Sequence, residues 1–174
     1  MENEVLRNIK TRRSCRAYTA QPVEPEKLKA ILEAGTWAAS GHGWQAAKIV
    51  VLQDAAEIAE LERMNAAVLG NPDSHPFYGA PTVLVVLADA KAGTAVEDGS
   101  LVLGNLMNAA HALGVGSCWI HRAREEFASD EGKALLKKWG VDERYIGVGH
   151  CILGYAAEPA APAKPRKADY IVRV

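Results

Sequence analysis

Thr82 to Asp89 reads TVLVVLAD, apolar at nearly every position instead of at alternate ones. A strand with one face in water alternates apolar and polar residues, so an unbroken apolar run needs cover on both faces. The chain is therefore expected to place this strand at the centre of a sheet and to supply helices for either side. Glu2 to Lys10 carries Val5, Leu6 and Ile9 on one side of a short helix. After Pro22 and Pro25, Glu26 to Ala39 sets Leu28, Ile31, Leu32, Ala34 and Ala38 on a second helical face. Ala55 to Val68 reads as a surface helix, Val96 to Leu113 as a buried one, and Glu125 to Trp139 as a helix ending at Gly140. Lys48 to Gln53, Val115 to Ile120 and Ile146 to Leu153 read as further strands, the last with glycines that let backbones approach closely.

At 174 residues, with no internal repeat and no interdomain linker, this is expected to be one domain, residues 1–174, large enough to bury its own core. A hydrophobic share of 49% and a formal net charge of -1 describe a globular chain with no overall field to draw nucleic acid or acidic lipid. The three cysteines, Cys15, Cys118 and Cys151, form no CxxC pair, which points away from a disulfide framework or a cysteine zinc site and toward a reducing cytoplasm. MENEVLRNIK has no apolar signal core. Leu101 to Ile120 lacks any acid, lysine or arginine, but Asn105, Asn108 and His111 share a helical face and Gly114 and Gly116 break its end. It reads as a buried helix leading into a strand, not as a membrane span. The five histidines show no HxH or HExxH spacing, so no metal site is expected.

One local feature stands out against the near-balanced charge. Thr11 to Arg16, TRRSCR, is cationic, with no acid between Val5 and Gln21. Arginine donates in a planar fork suited to phosphate, and a serine hydroxyl with turn amides completes such a cradle. Taken alone the cluster is first of all a solvated basic face, and it needs partners elsewhere. Lys164-Pro165-Arg166 is one, because proline holds the backbone extended and sends both cations to the same side. The loop from Ala38 to Gln45, AASGHGWQ, is another: its small and hydrogen-bonding residues can approach a ligand, although it also reads as a plain helix cap and turn.

RRSCR at 12–16, ASGHGWQ at 39–45, GVGSCWI at 114–120, LGY at 153–155 and KPR at 164–166 together resemble, in order and spacing, the nitroreductase family of FMN-dependent oxidoreductases. The resemblance implies an α+β fold with a central mixed sheet flanked by helices, in an intertwined homodimer with the FMN sites at its interface. It implies that Arg12, Arg13 and Ser14 bind the phosphate and ribityl chain, with Lys164 and Arg166 completing the phosphate site. Arg16 would lie near the flavin N1 and O2 edge, where a cation raises the reduction potential. Ser40, Gly41 and Gln45 would reach the cofactor from the partner subunit, with His42 and Trp44 beside them, and the backbone at Ile120 and His121 would face the isoalloxazine ring. The implied activity is a ping-pong transfer of electrons from NADH or NADPH through FMN to a small electron-poor acceptor, a nitroaromatic or a quinone. No side chain is assigned as an obligatory acid or base.

The chain departs from the family pattern at Gly43, where the family has Asn, and at Ala46-Ala47, where it has Pro-Trp. His121-Arg122 stands where a small residue or Glu-Gly is common, and the region between the first two strands is short, which suggests an open pocket. Alternatives are an FMN-holding or nucleotide-sensing module without turnover, another flavin reaction such as dehalogenation or flavin breakdown, and a basic interaction motif. Cys118 and Cys151 read as small buried hydrophobes, Cys15 as packing beside three arginines, and Glu97 and Asp98 as acids that offset a helix dipole.

Overall fold

The computed structural model describes residues 1–174. The elements in chain order are α1 (Glu4–Thr11), α2 (Pro25–Thr36), a 3-10 turn (Gly41–Gly43), β1 (Ala47–Leu52), α3 (Ala55–Leu69), β2 (Thr82–Asp89), α4 (Ala95–Ala112), β3 (Gly116–Ile120), α5 (Ala123–Ala128), α6 (Asp130–Lys138) and β4 (Tyr145–Gly154). The sheet order is β1-β2-β4-β3, so the all-apolar strand lies inside the sheet.

Period-two geometry divides β2 between two cores. Leu84, Val86 and Ala88 pack with Ile31 of α2 and Leu103 and Leu106 of α4. Val83, Val85 and Leu87 pack on the other face with Leu61 of α3, Phe127 of α5 and Leu136 of α6. Each fully buried aliphatic side chain contributes about 1.5–3 kcal/mol, so this one strand anchors both layers.

The α+β class holds, but the sheet is not mixed within the chain. All three strand pairs are antiparallel, and the one parallel pairing is an isolated bridge between Ser14 and Ser117. The connection from β1 to β2 contains α3 and the long loop from Gly70 to Pro81, enough chain to return in the opposite direction. A register shift opposite Val86 and Leu87 places Gly147 beneath α5. A Cβ on Gly147 would stand 2.1 Å from the carbonyl oxygen of Ala123, so glycine is what lets α5 seat against β4.

The helix expected from Glu125 to Trp139 is two helices. Ser129 breaks it: the residue is extended at φ -74, ψ 160, and its Oγ accepts from Gly132 N at 3.0 Å, capping α6. After β4 the chain stays beside the N-terminal segment, with Tyr18 bridged to Ala156 and Ala157 N donating to Ala17 O at 2.9 Å. The final residues leave the body. Tyr170, Ile171, Val172 and Val174 are all at least 77% exposed, so the apolar end has no seat on its own subunit.

Candidate flavin site

The basic motif begins where α1 stops. Arg12 leaves the helix at φ -56, ψ 134, and Cys15 N then donates to Ser117 O at 2.9 Å, laying the segment along β3. This turn separates the two adjacent arginines. Arg12 points inward, toward both His111 at the end of α4 and Cys151 on β4, and its Nη1 is buried without a hydrogen-bond partner. Arg13 points outward and braces itself, with Nη1 donating to Lys10 O at 2.8 Å and Arg12 O at 2.7 Å. Arg13, Ser14 and Arg16 line a cleft of about 440 Å³, together with His111 and the stretch of tail that reaches Ala161. Glu158 is the acid in its wall, and it is exposed.

The loop after α2 lies elsewhere. Ser40 Oγ accepts from Gln45 N at 3.0 Å, and Gly41 N donates to Asp98 Oδ1 at 3.0 Å. Gly41 is required by space, because a Cβ there would stand 2.3 Å from Thr94 Oγ1. His42 and Gln45 hold left-handed backbones, with φ 53 and 50, around Gly43 at φ 68. His42 and Trp44 are both exposed, with ring centroids 5.6 Å apart. Ser40, Gln45 and Asp98 border a second cleft of about 1000 Å³, walled by Leu28 and Leu32 of α2 and Ile49 and Val51 of β1. Asp98 sits in the first turn of α4, where an acid offsets the helix dipole, and it does more than that. It is buried, anchors the loop through Gly41, and leaves Oδ2 without a partner.

The third part is the corner between β3 and α5. Ile120 is buried, His121 is exposed, and Arg122 adopts φ 82, rare for a residue with a side chain. Asn65, fully buried on α3, clamps the corner: its Nδ2 donates to His121 O at 2.8 Å, and Arg122 Nε donates to its Oδ1 at 2.9 Å. Arg122 is thereby folded back onto the protein. Asn65 was not among the expected site residues. Its signal is a lone amide beside Leu61 and Met64 on the buried face of a helix, where an unpaired polar group would be costly.

Within one chain the structure brings Arg13, Ser14 and Arg16 together, turns Arg12 inward behind them, and sets Ser40 and Gln45 on a cleft that shares no residue with theirs. Lys164 and Arg166 are exposed on the tail, three and five residues beyond Ala161, the last tail residue in the first cleft. Burial raises the Tyr18 phenol well above its usual range, and it pushes the Cys151 thiol up to about 12, so Cys151 is an inert core thiol.

The nitroreductase family model matches residues 9–76 and 69–155. A crystal structure of a nitroreductase with bound FMN from Bacteroides fragilis NCTC 9343 is 34% identical with a TM-score of 0.91, covering 99% of this chain and 100% of that one. A nitroreductase with bound FMN from Desulfitobacterium hafniense DCB-2 is 30% identical with a TM-score of 0.89, covering 100% of both chains. The FMN reductase (NAD(P)H) of Bacillus subtilis (strain 168) is 25% identical over 189 residues, covering 94% of this chain and 70% of that protein. With the family model matching most of the chain and the fold superposing end to end on two FMN-bound members, this chain belongs to the nitroreductase family.

Proposed function

We propose that the protein is an FMN-dependent oxidoreductase that takes electrons from NADH or NADPH and delivers them to an electron-poor acceptor, a nitroaromatic or a quinone, with donor and acceptor using one site in turn. The observation that carries this reading is the cleft at the basic motif. Arg13, Ser14 and Arg16 offer donors to one concave space, and Arg12 stands behind them with a buried guanidinium nitrogen still free to donate. That set fits a phosphoryl group. Lys164 and Arg166 are the tail cations that would close over it. Bound FMN would supply two-electron chemistry at N5. The chain's own residues would hold the phosphate, set charge beside the ring through Arg16, and orient the strand-end backbone at Ile120 and His121 through the Asn65 clamp.

The same reading takes the active unit to be a homodimer. Ser40 and Gln45 stand on a cleft separate from that of the basic motif, with Gly41 and His42 in the loop between them, as they would if each complete site drew its halves from two subunits. The exposed apolar tail and the apolar cleft beside edge strand β1 also fit each other across such a pair. Sedimentation of the FMN-treated protein, followed at a flavin wavelength, tests cofactor and assembly at once. Flavin absorbance moving at twice the 18.7 kDa chain mass is the expected result. Flavin moving with the monomer contradicts the shared site, and flavin left behind contradicts the cofactor.

A further inference from the structure

His111 lies in the last turn of α4 and lines the same cleft as Arg13, Ser14 and Arg16. Its ring is already fixed on one side. Nε2 lies 2.9 Å from Thr11 Oγ1, and the Thr11 hydroxyl lies 2.8 Å from Arg7 O. A hydroxyl has one proton, and with that proton on the Arg7 carbonyl the tautomer that satisfies both contacts has the N–H on Nε2 and Thr11 Oγ1 accepting from it, and we assign that tautomer to the ring. In the neutral ring Nδ1 is then a bare lone pair, with nothing to donate to an anion. Protonation would convert it into a donor.

The groups facing the ring decide when that happens. Arg12 and Arg13 come from the end of α1, with Arg7 and Lys10 before them on the helix and the Cys15 thiol and Arg16 after them on the same segment. The tail contributes Glu158. The remainder of α4 beyond Asp98 and the turn through Gly114 and Gly116 into β3 contribute no charge. Partial burial, followed by Arg12 and then Arg13, holds His111 below the ordinary imidazole range. In the empty cleft the arginines outweigh Glu158. A phosphate dianion among those arginines reverses the local field.

We propose that His111 is a proton-accepting member of this anion site, uncharged while the cleft is empty and converted to imidazolium when the dianionic phosphate of FMN docks, so that cofactor affinity strengthens as pH falls. The proposal rests on reading the cleft as the FMN phosphate site. The sign follows from linkage. If the bound form titrates higher than the free form, docking takes up a proton at any pH between the two midpoints. Affinity is then level above the bound midpoint, rises by at most about tenfold per pH unit as pH falls toward the free midpoint, and levels again below it. The phosphate's own second ionisation, at about pH 6, opposes this trend at the acid end, so the ring must be observed directly.

The test is proton NMR titration of the His111 ring in the full-length protein, free and saturated with FMN or with riboflavin, which lacks the phosphate. His111→Gln identifies the resonance and retains a donor toward Thr11. The expected result is a midpoint below the ordinary histidine range in the free protein, raised by FMN and unmoved by riboflavin, with the pH slope of FMN affinity flattened in His111→Gln. FMN that binds without moving the midpoint overturns the proposal, and so does an equal rise with riboflavin. Should FMN fail to bind at all, the flavin reading falls by itself, and inorganic phosphate at millimolar concentration decides the rest: a raised midpoint preserves the proton-linked anion site, and an unmoved one ends it.

Discussion

At the scale of single residues, what the sequence reveals is chemical type, and what it conceals is direction. Arg12 and Arg13 are neighbours of the same kind, yet the turn out of α1 sends one inward with a buried, unpartnered Nη1 and the other to the cleft. No pattern of residue types encodes that split, because it depends on where the chain meets β3 through Cys15 and Ser117. Asp98 was legible as an acid in a first helical turn, but its partner, Gly41, lies far away in sequence. Asn65 is the sharpest case. It joins α3 to the β3–α5 corner through His121 and Arg122, so Asn65→Ala would leave a carbonyl and a guanidinium nitrogen without their partner. With the corner partly open to water, the two losses together cost about 1–3 kcal/mol. Thermal or urea unfolding of N65A should show a loss in that range; unchanged stability would mean that the clamp holds nothing in place.

At the scale of elements, boundaries set by strong local signals were readable. The strand at Thr82–Asp89 coincides with its apolar run. The helix from Ala55 starts beside Asp54, whose Oδ1 accepts from Ala56 N and Glu57 N, and ends at Gly70 in the left-handed region. The break at Ser129 was signalled too, since Ser-Asp-Glu is a helix-start pattern, but it lies within a run that is periodic on both sides. What joins α5 to the sheet is a contact no periodicity predicts. Glu126 Oε2 and His150 Nε2 meet at 2.5 Å with both residues fully buried, between Phe77 and Phe127. Removing one partner of such a buried hydrogen bond strands the other and costs about 1–3 kcal/mol. Glu126→Ala should therefore destabilise the protein on that scale, measured by denaturant midpoint. A loss below about 1 kcal/mol, the size of an exposed pair, would contradict the assignment.

At the scale of the whole molecule, the sequence made a two-faced sheet legible, because it follows from burial and period. The direction of strand pairing did not follow, since helix-bearing connections serve parallel and antiparallel sheets alike. The site was legible only as scattered motifs. Within the chain two of them border separate clefts, the β3–α5 corner and the Lys164–Arg166 tail lie outside both, and the account depends on their being joined by a cofactor and a second copy. Its central claim is that the protein carries FMN and that NADH or NADPH reduces it. The most direct measurement is the visible absorption spectrum of the FMN-loaded protein, recorded without oxygen before and after addition of each nicotinamide. The account predicts flavin bands that bleach with at least one donor and return when a quinone or nitroaromatic is added. A protein that takes up no flavin, or one whose bands persist with both donors, would contradict it.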